Sequence, residues 1–195
     1  NYAMDLAGTT HNAGLLRQYE RDVAGAERDF EEARRIRLRL VRDHGDNPRY
    51  LHALAISHAT LGTLRRDAGN VAEARRDYLQ AREIWDALRR SGVTQYEHDA
   101  AKTLHDLGIL LWITREWAEA REALEGARAI RERLAEASPG IPRHTEALAR
   151  TLDRLGMLLR KTGDAPGALK AYERARDLLA DLARHYPDVG AYKRS

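Results

Sequence analysis

The chain has 195 residues, enough for a sizeable core, and 33 basic against 30 acidic side chains give a net charge of only +3. This balance does not indicate the basic block of a nucleic-acid binder, and the absence of cysteine excludes disulfide scaffolds, thiolate nucleophiles and cysteine metal sites. No apolar run approaches the ~20 residues of a membrane span, and no signal peptide is visible, so a cytoplasmic location is the default expectation.

Taken in chain order, the sequence divides into segments typical of helices, separated by turn signals. Breaks fall at 44–48, 91–95 and 138–142, and further breaks are predicted near Arg21, Gly69, Arg115 and Gly163. Asn47 before Pro48, Asn70 with Glu73 three residues later, and Asp164 after Gly163 all resemble helix caps. These signals predict about eight helices, most of them 18–22 residues long.

The helices repeat in pairs. Gly14, Gly62, Gly108 and Gly156 are 48, 46 and 48 residues apart. Twelve residues after each glycine comes Ala, four further on comes Phe30, Tyr78, Leu124 or Tyr172, and another Ala follows three residues later. Steps of three and four residues follow one face of a helix, so we expect small residues to let two helices approach while the bulky residue fills the gap. One pair cannot bury its apolar faces alone, which predicts an all-α solenoid of stacked pairs.

The segments "LGTLRRDAGNVAEARRDYLQA" (61–81) and "LGMLLRKTGDAPGALKAYERA" (155–175) resemble the tetratricopeptide repeat. The resemblance extends over essentially the whole chain, but the period is longer than the usual one, as in kinesin-light-chain-like arrays, and Arg21 and Arg115 replace the mid-repeat glycine. It implies a right-handed α-solenoid of four antiparallel pairs, with repeats at about 1–46, 47–93, 94–141 and 142–188, and 189–195 starting a fifth. "HYPDVGAYKR" (185–194) is similar to segments of bacterial arrays attached to signalling proteins, which implies an excerpt of a larger protein.

The same resemblance implies a partner-binding groove along the first helix of each pair. Its candidate residues are His11, Leu15, Gln18, Tyr19, Arg66, Lys102, His105, Ile109, Trp112, Ile113, Arg150, Arg154, Met157, Arg160 and Lys161. Repeat three offers an apolar patch and repeat four a cationic stretch, which suits a peptide with an apolar anchor beside acidic residues. Two plainer interpretations stay open: Trp112 could be a core residue, and the cations could form a solvated face.

Three further hypotheses concern chemistry and self-association. His98, Lys102, His105 and Asp106 share one helix face, but the spacing and the lysine favour polar groove residues over a metal site. No nucleophile, phosphate loop or cofactor motif is present, so we expect no enzyme and no cofactor. The end of the last pair predicts exposed apolar surface around Leu178, Leu179 and Leu182 and self-association there.

The sequence therefore predicts a non-catalytic protein–protein interaction scaffold that binds a protein or peptide partner. Alternatives are a sensor that binds a small molecule or signal peptide and, third, a nucleic-acid-associated module. Salt-steep oligonucleotide binding would favour the last of these.

Overall fold

A computed structural model describes residues 2–186, and the expected start of a fifth repeat at 189–195 lies outside these residues. The eight helices are α1 (Tyr2–Tyr19), α2 (Val23–His44), α3 (Pro48–Asp67), α4 (Val71–Arg90), α5 (Glu97–Ile113), α6 (Trp117–Ala137), α7 (Pro142–Lys161) and α8 (Ala165–His185). No strand occurs in residues 2–186. The all-α prediction is confirmed, and the helices are joined by short turns into antiparallel pairs.

The helices begin and end at the predicted caps and turns, with one difference. The Asn47 side chain accepts a hydrogen bond from the Arg49 amide at 3.0 Å, and Asp164 accepts one from the Gly167 amide at 2.9 Å. Asn70 occupies the predicted N-cap position of α4, but its side chain makes no cap bond there, so the hydrogen bond expected of a capping box is not formed. The helix begins at Val71 nevertheless, because its apolar face packs on α3.

The two arginines that replace the mid-repeat glycine adopt the glycine's backbone conformation. Arg21 and Arg115 have φ of 66° and 65°, beside 83° for Gly69 and 91° for Gly163 at the equivalent turns. A left-handed conformation costs a residue with a Cβ roughly 1–2 kcal/mol. The turn is therefore imposed by packing of the helices on either side and not by the local sequence.

The chain forms two compact units, one reaching Thr103 and the other starting at Leu104. In the first unit α1 packs on α2, α2 on α3, and α3 on α4; in the second, α6 packs on α7 and α7 on α8. Each unit has its own buried residues, such as Phe30 and Tyr78 in the first and Leu124 and Leu158 in the second. The core thus lies between successive helices.

Within each pair, the repeat glycine touches the bulky residue predicted to fill the gap. A Cβ on Gly14, Gly108 or Gly156 would stand 2.7 Å from the nearest side-chain carbon of Phe30, Leu124 or Tyr172, and one on Gly62 would stand 2.9 Å from Tyr78. Real Cβ atoms do not approach so closely, so these glycines set the distance between paired helices.

Between pairs, a long side chain on each of α2, α4 and α6 donates a hydrogen bond to a buried hydroxyl on the next first helix. Arg37 Nη1 donates to Ser57 Oγ at 2.7 Å, and Trp85 Nε1 donates to Thr103 Oγ1 at 3.1 Å. Arg131 Nη1 donates to the Thr151 hydroxyl at the equivalent place. These junctions were not predicted from the sequence, and Arg37 is buried although arginine is usually a surface residue.

The expected apolar surface at the end of α8 is only partly present. Leu182 is buried, at 6% exposure, which corrects that part of the prediction. Leu178 and Leu179 are half-buried, because they pack against Leu148, Ala149 and Leu152 of α7 and its neighbours. The apolar surface exposed at the end of α8 is thus smaller than the sequence predicted.

A pair of substitutions on α1 tests the role of the close contact. Gly14→Ala drives a methyl group into Phe30, so we expect the free energy of unfolding to fall by about 1–3 kcal/mol. Gly8→Ala adds the same methyl group where nothing lies within 4 Å and should stabilise the helix by up to about 1 kcal/mol. Urea denaturation of both variants measures the difference, and equal effects would contradict it.

Candidate functional site

In the first unit, the predicted groove residues split between solvent and interior. Tyr19 is 87% exposed and Leu15 is 45% exposed, while Gln18 is half-buried beside them on α1. Arg66 on α3 is held by Asp67, with Nη2 2.8 Å from the carboxylate, and Lys102 on α5 is exposed. No cavity among those described in this structure is formed by these side chains.

His11 belongs to the interior of the first pair and not to an open groove. Its ring lies 5.1 Å from the ring of Phe30, and its Nδ1 is buried without a hydrogen-bond partner. Burial, together with the smaller effect of the nearby positive charge of Arg37, lowers the pKa of His11 to about 4. The imidazole is therefore neutral at pH 7.

This burial makes stability depend on pH. Because the folded pKa lies below the ordinary value of 6.5, the unfolded chain takes up the proton first, and stability is lost as pH falls from 6.5 towards 4. Allowing for the partial exposure of His11, we expect wild type to lose roughly 1–2 kcal/mol more than His11→Gln between pH 7 and 4.5. Urea denaturation at both pH values measures this, and parallel losses in the two proteins would contradict it.

In the second unit, the first helices α5 and α7 bring predicted residues together around a small apolar cavity. Its volume is about 30 Å³, and it is lined by Gly108, Ile109, Trp112, Leu124, Arg154 and Met157. A space of this size holds little more than a water molecule or a methyl group. It can therefore take the tip of one apolar side chain, but not a whole small molecule.

Trp112 is packed against the neighbouring helix and is also partly accessible. Its indole packs edge-on against Trp117 at the start of α6, with ring centroids 5.3 Å apart and planes at 69°. It is nevertheless half-buried, and its remaining surface forms a wall of the small cavity. Packing holds the ring in place while one part stays accessible.

A second, larger cavity of about 390 Å³ lies beside the first and is cationic. It is lined by His105, Ala149, Arg150, Asp153, Arg154, Tyr172, Ala175, Arg176 and Leu179. Arg150 is 67% exposed and its Nη2 lies 3.5 Å from Glu146, while Arg176 pairs with its neighbour Asp177 at 2.8 Å. The wall therefore holds three guanidinium groups and one carboxylate, and two of the guanidinium groups are also paired with carboxylates beside it.

A polar chain leads from the interior to this cavity. Buried Arg131 donates to Thr151, whose hydroxyl lies 3.3 Å from Nδ1 of His105. Burial and the positive charge of Arg150, partly opposed by Asp106, lower the pKa of Arg131 to about 10. His105 is therefore fixed from behind by a hydrogen-bonded residue of the core, which restricts its orientation in the cavity wall.

The remaining candidates of this unit lie outside both cavities. Ile113 is 56% exposed at the end of α5, and Arg160 and Lys161 are exposed at the end of α7. Tyr172 and Arg176 were not among the predicted groove residues, because the groove was expected on first helices alone and these two residues lie on α8. Tyr172 was predicted to fill the gap between paired helices, and the structure shows that it is also partly exposed to the larger cavity.

Two kinds of feature are absent from the part of the chain that the structure describes. Among residues 2–186, no three His, Asp or Glu side chains cluster closely enough to hold a metal ion. Instead, His52 Nε2 lies 2.9 Å from Asp99, and its ring stacks on Tyr96 with centroids 3.9 Å apart. None of the described helices combines the length and apolar character that a membrane crossing needs.

Comparison with known proteins supports a repeat fold. Residues 99–181 match the sequence model of the tetratricopeptide repeat. No curated protein matches the chain. Among solved structures, BtubC (BKLC) from P. vanneervenii has 22% identity and a TM-score of 0.73, covering 91% of this chain and 64% of that one.

Two further solved structures carry the name Rap. The apo form of RapI has 17% identity and a TM-score of 0.74, covering 93% of this chain and 44% of its own. The Rap conjugation gene regulator of plasmid pLS20, in complex with the Phr* peptide, has 17% identity and a TM-score of 0.65. The match covers 97% of this chain and 45% of that one. This chain spans less than two thirds of each of the three, and at these identities the likeness concerns the fold alone.

The resemblance to tetratricopeptide repeats is confirmed, by the sequence match over 99–181 and by the helical-repeat fold of the neighbours over most of the chain.

Proposed function

We propose that this chain, as an array of tetratricopeptide-like repeats, is a non-catalytic scaffold that holds a partner peptide or protein segment against α5 and α7. The observation that carries the proposal is the position of Arg154. This residue lines both the small apolar cavity and the larger cationic cavity, so the two are neighbours with a shared wall. An extended peptide can therefore occupy both at once.

The chemistry of the two cavities specifies the ligand. The space beside Ile109, Trp112 and Met157 admits the tip of one apolar side chain. The space beside Arg150, Arg154 and Arg176 favours a carboxylate a few residues away. A peptide with a small apolar residue close to Asp or Glu satisfies both, and neither cavity presents a nucleophile with a base.

The wider setting is also a proposal. We place the chain in the cytoplasm, within a larger bacterial regulatory or signalling protein. Support comes from the similarity of the segment 185–194 to those of bacterial arrays, and from a structural neighbour that is a gene regulator. The low identity to that neighbour transfers only the fold.

A second candidate is a sensor for a signal peptide or small molecule. Two observations favour it: one neighbour was solved with a bound peptide, and a cavity of about 390 Å³ lies in the size range of small-ligand sites. A sensor changes the spacing of its helices on binding, whereas a rigid scaffold does not. Small-angle scattering with and without a bound peptide separates the two.

The ligand prediction can be tested without knowing the partner. We expect selection from a random-peptide phage library to enrich an apolar residue close to Asp or Glu. Arg154→Glu should weaken binding of the selected peptides at least tenfold, because it reverses a charge in the shared wall. Trp112→Ala should weaken binding and remove the fluorescence change on titration.

The matched control is Arg143→Glu, an exposed arginine on the same helix that lines neither cavity. It should leave peptide affinity within about twofold at moderate salt. Selected peptides without acidic residues, or equal losses in the two charge reversals, would contradict the assignment of the groove.

Self-association through the face of α8 stays a prediction, but it now concerns Leu178 and Leu179 alone, since Leu182 is buried. Leu178 and Leu179 remain partly accessible, and Leu178 lines a cavity of about 400 Å³ together with Ala135 and Leu148. We expect a concentration-dependent dimer in sedimentation velocity, which Leu179→Glu should abolish. A wild-type protein that stays monomeric at high concentration would overturn this prediction.

A further inference from the structure

The third helix pair differs from the others at the residue that faces the repeat glycine. That residue is an aromatic ring in three pairs and leucine in this one: Phe30, Tyr78, Tyr172 and Leu124. The small apolar cavity of about 30 Å³ is lined by Leu124 and by its glycine, Gly108. The other two cavities described within residues 2–186 touch none of the four repeat glycines. The exception in the sequence and the cavity therefore occur at the same place.

The contacts of each glycine show how much of the gap its partner fills. A Cβ on Gly14 would meet Cδ1 and Cε1 of Phe30, and one on Gly62 would meet the same two atoms of Tyr78. These atoms form one edge of a ring, and the ring continues beyond them. A Cβ on Gly108 would meet Cγ and Cδ2 of Leu124, the branch point and a tip of the side chain. Leucine therefore ends where the rings continue.

Tyr78 shows where the rest of a ring lies. Its hydroxyl oxygen is 3.0 Å from Oγ1 of Thr63, the residue that follows Gly62 on α3. The residue that follows Gly108 on α5 is Ile109, and Ile109 lines the cavity. The space that the ring fills in the second pair thus corresponds to the space that is open beside leucine in the third. Tyr78 is 0% exposed, so a helix pair of this kind can bury a whole ring at this position.

The cavity is closed at one end and accessible at the other. Gly108 and Leu124 are buried and form its inner end. Ile109, Trp112 and Met157 are half-buried, and Arg154 is exposed. A side chain that enters from the solvent therefore passes these residues and comes to rest against the leucine. The size of residue 124 sets how deeply that side chain can enter.

We propose that Leu124 is the specificity-determining residue of the peptide groove, because it leaves open the space of a ring and so admits one aliphatic side chain of the partner. This inference rests on the proposed function, since it requires a peptide bound against α5 and α7. The anchor is defined by its chemistry. A methyl-bearing tip, as in Val, Leu or Ile, matches a space of about 30 Å³, whereas a phenyl ring does not fit.

A packing defect without function is the alternative, and Leu124→Phe separates the two interpretations. In both, the new ring occupies the cavity as Phe30 occupies the first pair, so the free energy of unfolding should not fall. If the cavity is a defect, peptide affinity does not change. If it is the anchor site, the partner's aliphatic side chain loses its place.

The probes are three labelled synthetic peptides that share the consensus sequence of the phage selection and carry Leu, Ala or Phe at the apolar position. We expect wild-type protein to bind the Leu peptide about tenfold more tightly than either of the others, as for small differences in size within a hydrophobic pocket. With Leu124→Phe, the Leu and Ala peptides should bind within about twofold of each other, at the affinity of wild type for the Ala peptide. Fluorescence anisotropy measures every combination.

A second variant keeps the test decisive if a ring at position 124 prevents folding. Leu124→Met conserves volume but has a longer, flexible side chain that reaches into the cavity. It should reduce the tenfold preference for the Leu peptide to about threefold. The matched control is Tyr78→Phe, which removes a hydroxyl at the equivalent position of the second pair and leaves the cavity unchanged. It should bind all three peptides as wild type does, and urea denaturation establishes that each variant is folded.

Three results would overturn this inference and leave the proposed function standing. The first is a folded variant at position 124 that keeps the full preference for the Leu peptide. The second is wild-type protein that binds the Phe peptide as tightly as the Leu peptide. The third is an equal loss of preference in Tyr78→Phe. Wild-type protein that binds none of the three peptides would instead overturn the proposed function, and this inference with it.

Discussion

The close contact between each repeat glycine and a bulky residue of the paired helix is the constraint on which the rest of the structure depends. With only hydrogen at Gly14, Gly62, Gly108 and Gly156, the ring or isobutyl group of the next helix reaches the backbone. This distance fixes how far each second helix projects towards the following pair. At each junction one side chain, Arg37, Trp85 or Arg131, is then long enough to reach the next helix. The same spacing leaves room for the two cavities around Arg154.

The junctions between pairs are costly interactions that specify a register. Burial lowers the pKa of Arg37 and of Arg131, because a guanidinium loses hydration when it leaves water. A carbonyl and a hydroxyl at each place offset that loss. A helix that slid by one residue would leave a buried charge without its partners, so each junction disfavours misaligned stacking more than it favours stacking in general.

Much of this fold could be predicted from the sequence, because its signals are local and periodic. Glycine spacing, turn residues and the alternation of small and bulky side chains located the helices and their pairing. Arg37 escaped prediction because an arginine in "RRIRLRLVR" has the composition of a surface residue, and only packing against α3 shows that it is buried. His11 and Arg176 were misjudged for related reasons: one was assigned to a groove and lies against Phe30, and the other lies on a helix that the groove prediction left out. Trp112 could not be resolved, since its packing against Trp117 and its exposure to a cavity depend on three helices at once.

The junctions also determine how such an array can grow or shrink during evolution. Two of the three use an arginine against a hydroxyl and a carbonyl, while the one between α4 and α5 uses tryptophan. A recombination event that removes α3 to α6 together would bring Arg37 against Thr151, which already accepts an arginine. Loss of α3 and α4 alone would bring Arg37 against Thr103, a site shaped for an indole. Deletions and duplications by two pairs should therefore be tolerated more readily than those by one, so that repeat number would change in steps of two.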